Sequence, residues 1–210
     1  LEQALDAIGV RNFSKYHRLL QHLTSTEFAW DRRSADDRLV IFSERLESLR
    51  WLKERLSQDL KLKEGEVEIL DGQMPDTEQQ SIVEAFGQQA SPLRVLLCSD
   101  VASEGLNLHY FCHRLIHFDL PWSLMVFQQR NGRVDRYGQK NRPEIVYLFT
   151  KTEVEKIKGD LRILEILQQK DDQAQKNLGD PGVFLNLYDP AREAEAVSDY
   201  MASGVDADQL

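Results

Sequence analysis

The chain has 210 residues, with 26 Lys+Arg against 35 Asp+Glu and a formal net charge of −9. Its hydrophobic share of 41% and charged share of 29% are those of a globular protein that buries a core, which excludes disorder throughout. The longest apolar runs are four to five residues, such as Val95–Cys98, so no membrane-spanning helix is expected. The start, Leu1-Glu2-Gln3-Ala4-Leu5-Asp6, has neither a basic nor an apolar leader region, so no signal peptide is expected; the absence of Met at position 1 suggests a fragment or a processed start. Cys98 and Cys112 make neither a disulfide framework nor a metal cluster, and they suit a reducing, cytoplasmic compartment. Taken globally, the acidic balance argues against a general polyanion binder.

Taken in chain order, residues 14–23 (SKYHRLLQHL) read as a helix capped by Ser14, followed by a loop from Thr24 to Asp37. Arg38–Ser43 (RLVIFS) reads as a buried strand. Glu44–Leu60 carries Leu46, Leu49, Leu52, Leu56 and Leu60 at spacings of three and four, a helical stripe. Val67–Leu70 is a second strand, Gly72 a turn, and Thr77-Glu78-Gln79-Gln80 has the form of a capping box opening a helix through Phe86. Arg94–Ser99 and Arg114–Asp119 are the third and fourth strands. Residues Ser123 to about Val134 read as a helix interrupted by Gly132, and Glu144–Thr150 as a fifth strand. A second capping box at Thr152-Glu153-Val154-Glu155 opens a helix with Ile157, Leu161, Leu164 and Leu167 on one face. Strands alternating with helices imply right-handed crossovers and an α/β fold with a mainly parallel sheet. Beyond Asp171 the chain turns polar, apart from a short apolar island at Val183–Tyr188 and a possible helix at Ala191–Met201. Three parts follow: a leading helix and loop (1–37), the α/β domain (38–170) and an acidic extension (171–210).

Charge is uneven along these parts. Residues 151–210 hold 7 basic and 13 acidic side chains, whereas Arg130, Arg133, Arg136, Lys140 and Arg142 face a single acid, Asp135. In an open α/β sheet the ligand site lies beyond the carboxyl ends of the strands. After the third strand comes Ser99-Asp100-Val101-Ala102-Ser103-Glu104-Gly105-Leu106-Asn107-Leu108. Its small and polar residues allow close backbone approach and hydrogen bonding to a phosphate or ribose, or they simply form a polar loop capping a helix. After the fourth strand, Arg133 and Arg136 would share a helix face. There they either hold an anion, phosphate being the natural one, or make a solvated basic turn partly neutralised by Asp135. A mid-helix Gly132 would cost about 1 kcal/mol against Ala, which favours a functional reason for this segment.

These residues carry a resemblance. Gln129, Gly132, Arg133, Arg136, Gly138 and Gln139 resemble motif VI of superfamily 2 helicases and translocases, in the form of the Swi/Snf-like branch. Ser99–Leu108 resembles motif V, ending in Gly105-Leu106-Asn107-Leu108; Arg38–Ser43 resembles motif IV, and Leu70-Asp71-Gly72 the segment after it. Asp119-Leu120-Pro121-Trp122 is similar to that branch's Asp-x-x-Trp turn, and the four ordered motifs cover residues 38–170. Asp135, where eukaryotic remodellers usually carry His, looks closer to bacterial members.

The resemblance implies a RecA-like three-layer fold and the second of two lobes that hold ATP with Mg2+ in the cleft between them. The triphosphate- and magnesium-holding motifs of the first lobe, a Gly-x-x-x-x-Gly-Lys-Ser/Thr loop and an Asp-Glu-x-His-type box, do not occur in this sequence. By the resemblance, Arg133 and Arg136 would be arginine fingers reaching the γ-phosphate. Gln129 would orient the motif, and Gly105 and Asn107 would approach the nucleotide. Asp100 would pair with a motif VI arginine near it, while Glu104 has no assigned role. Ser99, Ser103 and Gly72 would face nucleic acid, and Tyr137 is the aromatic to watch beside it. The implied partners are the first lobe and nucleic acid, duplex DNA by the family's habit. The chain would then be a half-motor, inactive alone; the alternative is a degenerate lobe serving as a docking module.

Overall fold

The five apolar segments pair into one parallel sheet. In the computed structural model, which describes residues 13–100, 108–151, 159–176 and Ser198, its strands are β1 (Arg38–Phe42), β2 (Val67–Leu70), β3 (Val95–Cys98), β4 (Cys112–His117) and β5 (Glu144–Tyr147). They lie in the order β2-β3-β1-β4-β5, and every neighbouring pair is parallel. β1 is central, flanked by β3 and β4, and all five of its residues are buried. That explains why it reads as an unbroken apolar run and not as an alternating one.

Alternate residues of each strand point to opposite faces, and two cores result. On one face Leu39, Ile41, Leu97 and Ile116 pack against Tyr16, Leu19 and Leu23 of α1 (Ser14–Leu23) and Leu49, Leu52 and Leu56 of α2 (Leu46–Asp59). On the other, Val40, Phe42, Leu96, Cys98 and Leu115 pack with Phe86, Ile82 and Val83 of α3 (Asp76–Phe86) and with Val134. A third, smaller cluster joins Leu120 and Leu124 of the segment opening α4 (Leu124–Asn131) to Ile163 and Leu167 of α5 (Asp160–Lys176). Each fully buried Leu or Ile contributes about 1.5–3 kcal/mol. The leading helix α1 therefore belongs to the same core as the sheet.

Several local expectations give way to stronger determinants. α3 begins at Asp76 behind Pro75, not at a Thr77 capping box. Pro75, at φ −57° and ψ 142°, turns the chain, and its carbonyl accepts from the Glu78 and Gln79 amides, leaving Thr77 inside the first turn. Ser14 is the first helical residue of α1 and Phe13 occupies the cap position, with no side-chain cap. β4 starts two residues earlier than its apolar run because Cys112 pairs with Arg38, and a register shift follows between Arg38 and Leu39. α5 turns Ile163, Ile166 and Leu167 inward and leaves Leu161 exposed. The Thr152 capping box, Ile157 and the apolar island at 183–188 lie outside the described residues. No described helix is long and apolar enough to cross a membrane.

Candidate functional site

The carboxyl edge of the sheet is tied together by backbone bonds that extend past the strand ends. Ser43 N–H donates to the Cys98 carbonyl at 3.1 Å, Ser99 N–H to Leu70 at 3.0 Å and Phe118 N–H to Phe42 at 2.9 Å. The first residues after β1, β2, β3 and β4 are thus brought side by side. Asp119, just past β4, accepts from Ser43 Oγ at 2.5 Å and from the Glu44 amide at 3.1 Å. Burial first, and then the Asp119 charge, raises the Glu44 carboxyl above its ordinary pKa.

The centre of this edge is Arg130. It sits on α4, its side chain is 1% exposed, and its guanidinium lies over the Phe42 ring, 5.4 Å from the centroid. It grips Asp100 with two prongs, Nε to Oδ1 at 2.5 Å and Nη2 to Oδ2 at 2.8 Å. Its Nη1 donates to the Asp119 carbonyl at 3.0 Å and approaches His117 Nδ1 at 3.3 Å. A fork matched to a carboxylate in this way makes the strongest kind of charge-assisted bond. A buried arginine without it would face a desolvation cost of several kcal/mol.

The same contacts fix the tautomer of His117. Facing a guanidinium, Nδ1 must accept, so Nε2 carries the proton and donates to Asn131 Oδ1 at 2.8 Å. Asn131 Nδ2 in turn donates to Tyr147 Oη at 3.1 Å. The His117, Tyr147 and Phe127 rings stack, with centroid separations of 4.7 Å and 5.2 Å along the series. Burial and then the Arg130 charge push the His117 pKa down to about 3, so the ring is neutral throughout the physiological range. His109, His113 and His117 are core or strand residues, and among the described residues no group of three or more metal-ligating side chains assembles.

Beyond Arg130 the helix stops. Gly132 is the C-cap of α4 at φ −63°, and residues 132–138 form consecutive turns and bends. The shared helix face expected for Arg133 and Arg136 does not exist, and Gly132 carries no mid-helix penalty. The reason is Val134, which is fully buried in the core under the sheet and draws the chain down. Gln139 then pins the turn, its Nε2 donating to the Cys112 carbonyl at 2.9 Å and the Val134 carbonyl at 3.0 Å. Gly138 takes φ +95°, a conformation that favours glycine. Arg133 is half-buried, Arg136 exposed, and Tyr137 fully exposed on this turn. Burial raises the pKa of the Cys98 thiol, and the charges of Arg130 and Arg133 oppose that rise.

Other expected site residues fall around this centre. Gln129 is half-buried on α4, one residue before Arg130. Ser99 follows β3 directly, and its buried Oγ has no hydrogen-bond partner among the described residues. Gly72 is exposed in the turn after β2, where Asp71 Oδ1 accepts from the Gln73 amide at 2.7 Å. Asp100 is engaged by Arg130 through both of its carboxylate oxygens. Ser103, Glu104, Gly105 and Asn107 lie outside the described residues. Sequence reasoning saw Arg130 only as one cation in a run. The available signal was its position among Leu124, Phe127 and Val134, which turns it inward.

The helicase conserved C-terminal domain matches residues 14–138. The "Uncharacterized ATP-dependent helicase YqhH" of Bacillus subtilis is 36% identical over 88 residues, which is 42% of this chain and 15% of that protein. The "RNA polymerase-associated protein RapA" of Vibrio campbellii is 37% identical over 87 residues, 41% of this chain and 9% of that protein. The aligned stretch is thus a small part of these relatives' length. Among solved structures, the C-terminal part of the Fun30 ATPase domain superposes with a TM-score of 0.56 at 20% identity, covering 90% of this chain and 54% of that one. Domain 2 of the DEAD-box helicase Mss116p, bound to an RNA duplex, gives 0.57 at 18% identity, covering 76% and 56%. These likenesses support the RecA-like α/β fold, and the match over residues 14–138 settles the family: the chain belongs to the helicase conserved C-terminal domain family of superfamily 2.

Proposed function

We propose that this chain is the second lobe of an ATP-dependent translocase that tracks along duplex DNA, a half-motor that finishes an ATP site owned mainly by its first lobe. The observation that supports this best is the two-pronged Asp100–Arg130 pair. It ties the loop after β3 to the turn carrying Arg133 and Arg136, so a nucleotide reached by the turn and nucleic acid touching the loop would feel one another. Arg133 and Arg136 are the proposed fingers, neutralising charge that develops on the transferred phosphoryl group; in other phosphoryl-transfer enzymes a finger contributes ~10³–10⁵ in rate. Asp100 acts as a positioning residue: a bare carboxylate would repel phosphate, but its charge is met by Arg130. Gln129 orients the turn, and Gly105 and Asn107 approach the nucleotide. Ser99, Ser103 and Gly72 contact the nucleic-acid backbone. ATP and Mg2+ would be held by the first lobe, with this side contributing cations to the phosphates. The two buried thiols suit a cytoplasmic setting.

The test uses the complete two-lobed protein. Arg136→Ala is expected to abolish DNA-stimulated ATPase while ATP binding largely persists, and the 210-residue chain alone is expected to show no turnover. Unchanged turnover in the variant removes the finger role and favours a docking module. Turnover by the isolated chain removes the half-motor.

A further inference from the structure

At the opposite, amino edge of the sheet two adjoining cavities share Arg32 and Arg33 as walls. One, of about 400 Å³, is lined by Arg32, Arg33, Lys61, Lys63, Arg94 and Glu66, besides Leu62. The other, of about 440 Å³, carries Trp30, Leu23 and Leu60 beside the same two arginines. Each has the size of a small-ligand site. Across both, five cations meet two carboxylates, Asp31 and Glu66, in a chain whose overall charge is −9.

The two carboxylates offset part of that charge, but each hydrogen-bonds a backbone amide and neither forms an ion pair with a cation side chain among the described residues. Asp31 Oδ1 accepts from the Arg33 backbone amide at 3.0 Å, and Glu66 Oε2 from the Lys63 amide at 2.7 Å. The two less exposed arginines are held by carbonyls: Arg32 donates to the Leu60 carbonyl, and Arg94 to Ser91 at 2.7 Å and Leu93 at 3.1 Å. Carbonyls orient a guanidinium without cancelling its charge. None of the five cations makes an ion pair among the described residues. Lys61 sits just past the end of α2 at φ +51°, a conformation usually left to glycine or asparagine. The helix dipole accounts for a lysine there, but not for Arg32, Arg33 and Arg94, which come from other loops. On the neighbouring wall the Trp30 ring is fixed by its Nε1–H, which donates to the Asp37 carbonyl at 2.8 Å.

We infer that this amino-edge pair of cavities binds a nucleoside phosphate, its phosphates among Arg32, Arg33, Lys61, Lys63 and Arg94 and its base against Trp30. Fixed guanidiniums and lysines match phosphate oxygens, and an indole face is a stacking platform for any base. The ligand is either a free nucleotide or the end of a nucleic-acid strand, which share this chemistry. The site is separate from the Arg133–Arg136 turn, and it does not depend on the function proposed for that turn.

The experiment is calorimetric titration of the 210-residue chain with ADP, inorganic pyrophosphate, a 5′-phosphorylated oligothymidylate and a hexaglutamate peptide. The exposed pair Arg33→Glu/Lys63→Glu, with an unchanged melting temperature as the fold check, is expected to weaken nucleotide or oligonucleotide binding about tenfold or more. Trp30→Leu is expected to weaken ADP but spare pyrophosphate, and Arg136→Ala to spare both. Tighter ADP than oligonucleotide assigns a free nucleotide; the reverse, with steep salt dependence, assigns a strand end. Absence of binding, binding that survives the double charge reversal, binding lost only with Arg136→Ala, or hexaglutamate binding as tightly as ADP overturns the inference.

Discussion

Arg130 and Asp100 are thirty residues apart in sequence and joined by two short bonds, 2.5 Å and 2.8 Å, across the top of β1. Several groups of the carboxyl edge gather around that pair. Asp119 receives Arg130 at its carbonyl, His117 accepts from it, and Phe42 lies beneath it.

Removing the arginine alone should therefore be costly. Arg130→Ala removes two donors from the Asp100 carboxylate and one from the His117 Nδ1 lone pair, and breaking a buried pair from one side costs about 3–5 kcal/mol. Asp100 is a quarter exposed, so water meets part of its charge, and the lower end of that range is expected. Urea unfolding of the 210-residue chain measures it; Asp100→Asn, which keeps an acceptor oxygen for one prong, should cost less than Arg130→Ala.

The buried histidine sets a pH dependence. His117 has its pKa lowered to about 3 from an ordinary 6.5, by burial and then by Arg130. The unfolded chain therefore binds more protons than the folded one between those values, and stability is full above about pH 6.5 and falls as pH drops toward 3. His113, lowered mainly by burial, acts in the same direction. The unfolding midpoint should decline on acidification, with a shallower decline in His117→Gln. By NMR the His117 ring should show no titration from pH 8 to pH 5; a shift midpoint near 6.5 contradicts its burial against Arg130.

Two glycines of one turn should respond differently. Gly138 at φ +95° holds a conformation that costs an L-residue about 1–3 kcal/mol, although its added Cβ would find open contact 3.6 Å from His109 Nε2. Gly132 has an ordinary φ of −63°, and a Cβ there meets the Gln128 carbonyl at 3.3 Å, a separation that a slight give of the helix end accommodates. Gly138→Ala is expected to lower stability by about 1–2 kcal/mol and Gly132→Ala by less than half of that in thermal or urea unfolding.

Both thiols should be silent in the folded chain. Cys98 and Cys112 are fully buried, and burial pushes the Cys112 thiol up to about 12 and raises Cys98 as well. A maleimide or disulfide reagent at pH 8 should label neither until denaturant is added. Rapid labelling of the native chain would contradict this packing.

Much of the architecture was written locally. Unbroken apolar runs such as Val95–Cys98 mark strands buried on both faces, and the Leu49, Leu52 and Leu56 spacing marks the helix that covers one of them. What was not legible depends on distant partners. The end of α4 is set by Val134 entering a core built from β1, β3 and α3, so the run through Gly132 looked helical. Thr77 lost its capping role to Pro75, whose fixed φ starts the turn first. The proposed site residues come as a list, from a resemblance to a family's motif. The identity of the arginine that meets Asp100 was not, because a pairing across thirty residues leaves no periodic trace.

The sheet order carries a mechanical consequence. β3 and β4, which lead into the two key loops, are not neighbours; β1 stands between them. A displacement of one loop would ordinarily be diluted by the stiffness of the intervening strand. The Arg130 side chain spans that strand, from α4 to Asp100 just past the end of β3. On the function proposed above, a push on the turn that follows α4 would reach the end of β3 through one side chain, without travelling along the hydrogen-bonded ladder.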